Sequence, residues 1–212
     1  MNLDSNSQNS ASQSSTSAKD GSAQEGAATL LILALAILAG LSRLLPHPPN
    51  VTLLTAASLL AGALLPRKLF RANVLILLGV LISDLALGLH STLPFVYAGL
   101  AFGPLLASWS MSSTGSMGSS SAFSQRMGRS LVAAGGASLG FFVMSNLGVF
   151  LVGGIYPMTW VGLVDCFVMA LPFWRSSLIA DLGFGVPALI WVAPWLKAQL
   201  LAPMSVNSDA VN

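Results

Sequence analysis

Charge is what this sequence has least of. Only 8% of its 212 residues are Asp, Glu, Lys or Arg, against 54% hydrophobic. A soluble domain carries about 25% charged residues. This chain therefore cannot cover its own surface with groups that water solvates, and lipid is the solvent its composition fits. A single cysteine, Cys166, excludes an internal disulfide framework and a cysteine-based metal cluster. Two histidines give haem or quinone binding no support, and a net charge of +2 gives nucleic acid none. The chain contains no HExxH helix, GxSxG elbow, GxGD sequence or P-loop. Ser138 in "GGASLG" comes nearest to a nucleophile, but its candidate bases, His47 and His90, belong to the ends of other segments. The expectation is a non-enzyme with no catalytic residue, metal ligand or cofactor.

What is present is a series of apolar runs. A membrane-spanning helix needs about 20 largely apolar residues. Candidate spans cover residues 28–45, a short 51–65, then 72–89, 94–111, 129–151 and 175–195. The segment 156–173, "YPMTWVGLVDCFVMALPF", is bracketed by Pro157 and Pro172 and interrupted by Gly162. It reads as a re-entrant or capping segment, which leaves about six spans, or seven if it crosses. The fold class is an all-α polytopic bundle over residues 27–198, followed by a short polar tail over 199–212. Residues 1–26, Ser-rich and without a basic leader, read as a disordered tail. Basic residues favour the cytoplasm. Lys19, Arg67, Lys68, Arg71, Arg126 and Arg129 gather on one side, which places the amino terminus inside a cytoplasmic membrane.

Polar groups inside apolar runs are the informative exceptions. An aspartate at the bilayer centre costs about 2.5–3.5 kcal/mol on insertion scales and usually faces a cavity or a partner. Asp84, Asp165 and Asp181 lie in such runs, and Asn146 joins them in "FFVMSNLGVF". With six spans these groups are expected at one depth, under the outer face, with Tyr97 and Trp160 near the same level. The turn "PHPPN" at 46–50 belongs there too. Proline fixes φ and removes a backbone donor, so this corner is rigid and costs little entropy to order. Each group also has a plainer role open to it: a helix-terminus contact for Asp84, an interfacial anchor for Trp160 and Tyr97, a tight interhelical turn for 46–50. Small residues at helix-packing spacing, Ala57/Ala61, Gly99/Gly103 and Gly136/Gly140, allow close backbone approach.

The stretches "RLLPHPPNVTLLTAASLLAGALL", "LISDLALGLHSTLPFVYAGL" and "SNLGVFLVGGIYPMTWVGLVDCFVMALPFWRSSLIADLGFG" resemble a family of small bacterial membrane proteins. That family is grouped with the substrate-binding S components of energy-coupling-factor (ECF) transporters. The resemblance spans about residues 40–190 and is most specific from Ser145 to Gly185. It implies six helices and an outward-opening pocket for a vitamin-like solute or cation. It also implies a membrane T component and two ATPase subunits as partners, with Ala57 and Ala61 at the docking face. No motif of a thiamine, riboflavin or biotin binder is present, so the substrate does not carry over. The reading is a solute-binding membrane subunit for micronutrient uptake, its site built from Asn50, Asp84, Asn146, Asp165, Asp181, Tyr97 and Trp160. A structural subunit of a larger membrane complex and an independent proton- or ion-coupled permease are the alternatives.

Overall fold

The computed structural model describes residues 3–44, 53–112 and 120–201, all helix or short connections. The helices are α1 (Leu3–Leu41), α2 (Leu54–Leu64), α3 (Leu69–Leu87), α4 (Leu93–Leu100), α5 (Phe102–Met111), α6 (Ser120–Val152), α7 (Trp160–Pro187) and α8 (Ala193–Leu201). Among the described residues, five stretches are long and apolar enough to cross a membrane: Gly21–Leu44, Leu69–Leu87, Leu93–Met111, Ser120–Val152 and Trp160–Leu200. The protein is a helical membrane bundle. The Ser-rich stretch expected to lack structure is helix from Leu3 and runs without a break into the apolar part of α1; no proline interrupts it before Pro46.

Contacts along the helices give the chain direction. α1 and α3 run parallel, because Glu25 meets Lys68 at one end and Arg43 meets Asp84 at the other. The chain leaves α1 at the Arg43 end and enters α3 at the Glu25 end, so α2 crosses back between them. With 11 residues α2 rises only about 16 Å, half of a hydrocarbon core of about 30 Å. Pro66 follows it and three prolines precede it. Every residue of α2 is buried. A helix this short is shielded from lipid by its neighbours, which is where irregular backbone at membrane depth is tolerated.

The next pass is broken as well. α4 and α5 meet at Ala101, three residues before Pro104, which has no N–H for the Leu100 carbonyl. The break lets the two halves face different neighbours: Gly99 packs on Phe141 of α6, while Gly103 packs on Ser58 of α2. At Gly62 of α2 a Cβ would overlap the Pro104 backbone, so only glycine permits that crossing.

α6 and α7 form a long antiparallel hairpin. Arg126 reaches Leu189 at one end, Gly135 lies by Leu182, and Phe142 stacks on Trp174 with centroids 4.9 Å apart. The segment 156–173 is therefore not a re-entrant cap, and it is not separate from 175–195. From Trp160 it is the start of one stretch of 41 residues, about 62 Å long. Pro157 stays in the connection, and the Thr159 side chain caps the helix by accepting from the Gly162 N–H at 3.2 Å. Pro172 lies inside α7 without ending it, and Pro187 is its last residue before the helix changes pitch. With this stretch continuous, the described residues hold five stretches of spanning length and the shorter apolar α2.

Between α7 and α8 the helix loosens to a π turn over Ala188–Val192, in which the Ala193 N–H bonds the Ala188 carbonyl. In that register the Leu189 carbonyl would need the N–H of residue 194, a proline. Arg126 Nη2 donates to Leu189 O instead, at 3.3 Å. A buried arginine thus satisfies the acceptor that a proline orphaned.

Candidate functional site

Two buried carboxylates organise the interior. Asp84, 1% exposed, lies on α3 near the Arg43 end. Its Oδ1 accepts from Arg43 Nη1 at 2.5 Å and its Oδ2 accepts from Tyr97 Oη at 2.9 Å. Arg43 also donates to Ser83 Oγ at 3.1 Å. The network ties the 3-10 turn that follows α1 (Ser42–Leu44) to α3 and α4, and both carboxylate oxygens and the phenol are used. Charge and hydrogen bonding are both matched, as a buried ion pair requires. This arrangement is a clamp.

Asp181, 6% exposed, lies on α7 where α2 and α6 meet it. The hydroxyls of Ser138 on α6 and Thr55 in the first turn of α2 stand beside its carboxylate. Ser138 is 1% exposed, and its Oγ completes no hydrogen bond of normal geometry. Among the described residues no ion pair reaches Asp181. One turn further along α7, Leu59 and Ala134 close over Gly185. The surroundings are a carboxylate, two hydroxyls and hydrocarbon.

The expectation of one polar layer does not hold. Tyr97 marks the level of Asp84, between contacts of Phe95 with Gly148 and of Gly99 with Phe141. Asp181 sits at the level of Ser138, about one to two helical turns deeper. Asn146 Nδ2 donates to the Phe142 carbonyl of its own helix at 2.7 Å, and the Asn146 carbonyl accepts from Cys166 Sγ at 3.5 Å. Asp165 is exposed on α7, about 100° around the helix from the buried Cys166. Trp160, 81% exposed, begins α7 and faces outward. Asn50 and the rest of the 46–50 corner, with His47, lie outside the described residues. Ala57 and Ala61 are buried in the chain's own core with residues of α1 and α3. They pack this chain's helices and are not on a face that a partner could reach.

Three contributors went unread in the sequence. Arg43 has no mark of its own in the sequence, because only the parallel packing of α1 and α3 brings "LSRLL" and "ISDLA" to one level. Ser83 and Thr55 carried no signal, because hydroxyls in membrane helices usually bond their own backbone, as Ser58 does to Thr55 O at 2.8 Å.

The profile of a family described as a family of unknown function (DUF6580) matches residues 23–202. This chain belongs to that family. The matched DUF6580 region takes in the apolar part of α1 and every later helix, so both buried carboxylates fall inside it. No curated protein and no solved structure matches the chain.

Proposed function

We propose that this chain is a membrane-embedded subunit that binds a small solute for uptake, in the manner of an ECF S component in a bacterial cytoplasmic membrane. The observation that carries the reading is the Asp181, Ser138 and Thr55 group: a buried carboxylate attended by hydroxyls alone, and a buried Ser138 Oγ without a completed hydrogen bond, where three helices meet. Ionisable groups inside membranes are expensive to keep and mark binding or transport sites. The incomplete α2 supports it too, since interrupted helices at membrane depth line sites in transport proteins. The resemblance of Ser145–Gly185 to the S-component grouping adds the partners, a T-type membrane subunit and two ATPases. Asp84, with its charge already matched, braces the site and does not contact the solute.

The test is a mild-detergent pull-down of the tagged protein from its native membrane, with co-purifying proteins identified by mass spectrometry. A T-type subunit with two ATPases is the expected recovery. Recovery within some other large complex would replace the proposal with an assembly role. A second reading, an ion-coupled permease acting alone, is favoured by the absence, among the described residues, of an ion pair at Asp181. Solute uptake that survives loss of the ATPases and collapses with the proton gradient would establish it instead.

A further inference from the structure

We propose that Asp181, Ser138 and Thr55 form a binding site for a monovalent inorganic cation; this rests on reading Asp181 as a ligand-binding group. An isolated carboxylate in a low-dielectric interior carries a penalty of several kcal/mol unless something neutralises it. The two buried carboxylates solve this differently. Asp84 has Arg43 at 2.5 Å. Among the described residues, every element packed around Asp181 lacks a charge at its level. α2 (Leu54–Leu64) has no titratable side chain at all. On α6 the residues from Leu131 to Asn146 have none, and Arg126 bonds Leu189 three turns away at the other end. On α7 itself the nearest charge, Arg175, is six residues distant and off the Asp181 face.

The first turn of α2 adds at most about half an elementary positive charge. That lowers the deficit and leaves it open. The donor set is oxygen only, the chemistry hard cations take. One carboxylate matches one positive charge; a divalent ion would leave a net charge in hydrocarbon. Ser138 Oγ, buried and without a completed hydrogen bond, has lone pairs to give such an ion.

Full-length protein, purified in detergent, is titrated with LiCl, NaCl or KCl at constant ionic strength set by N-methylglucamine chloride, and thermal unfolding is followed. The expected result is a saturable rise in the unfolding midpoint with one of the three ions. The rise is lost in Asp181→Asn, reduced in Ser138→Ala and kept in Asp165→Asn. Absence of a saturable shift in the native protein overturns the site. So does a shift that Asp181→Asn retains. A stabilisation that follows pH alone, equal in all salts, assigns a proton and overturns the cation. Should Asp181→Asn fail to fold, Ser138→Ala carries the comparison. Failure here together with co-purified ATPases leaves the solute-binding proposal intact, while a saturable shift without those partners removes only the ECF reading.

Discussion

The Arg43 end of the bundle and the last two turns of α7 each bury a carboxylate, and they do so with opposite completeness. At Asp84 every oxygen has a donor and the charge has a counter-charge, with three helices tied in one network. At Asp181 three helices also converge, yet only hydroxyls attend the carboxylate. The contrast separates two uses of the same residue type. A matched carboxylate fixes helices in place; an unmatched one costs stability, and it is the one the proposed function assigns to binding.

The contrast breaks most sharply at Arg43. Arg43→Met leaves Asp84 buried and uncompensated, and a loss of about 3–5 kcal/mol is expected from chemical denaturation in mixed micelles. Arg43→Met combined with Asp84→Leu should recover most of that loss, because the lone charge is then gone. Tyr97→Phe removes one charge-assisted hydrogen bond and should cost about 1.5–3 kcal/mol. Gly62→Ala tests the α2–α5 crossing, where the new methyl has no room; about 1–3 kcal/mol is expected, read in the same assay. At Asp181 the sign changes. Asp181→Asn removes an unmatched charge, so unfolding in cation-free buffer should be unchanged or shifted upward, while solute uptake falls. Asp165→Asn, on an exposed helix face, should stay within about 0.5 kcal/mol of native stability.

Composition and run length were enough to read a helical membrane bundle, since continuous apolar runs of this length lack the short alternating pattern of a closed barrel, the other structure that satisfies its backbone in lipid. The broken pass at Ala101 and the short α2 are both tied to prolines visible in the chain. Proline also misled. Pro157 and Pro172 suggested a broken segment, but Pro157 lies in the connection and Pro172 continues inside α7. In lipid a helix has no solvent to turn to when it loses one bond, so the remainder holds it together.

Of the site residues expected from the sequence, Asp84 and Tyr97 do meet, and Asp181 is buried, but they do not share one layer. Periodicity shows that an aspartate lies in an apolar run. It does not show which neighbour arrives at the same height. That Arg43 meets Asp84 follows from α1 and α3 being parallel neighbours. That Asp181 finds Ser138 and Thr55 follows from α2, α6 and α7 converging. The Ala57/Ala61 pair shows the same division. Its small size made close packing legible, but whether the partner is another protein or the chain's own α1 and α3 depends on which helices surround α2.

The solvent, the helical state and the breaks were written in the order of residues, because hydropathy and proline act locally. Which carboxylate became a clamp and which was left open depends on contacts between residues as much as 126 positions apart, Thr55 and Asp181 among them. Those contacts exist only once the helices have taken their places, since electrostatic matching depends on distance in space and not on separation along the chain.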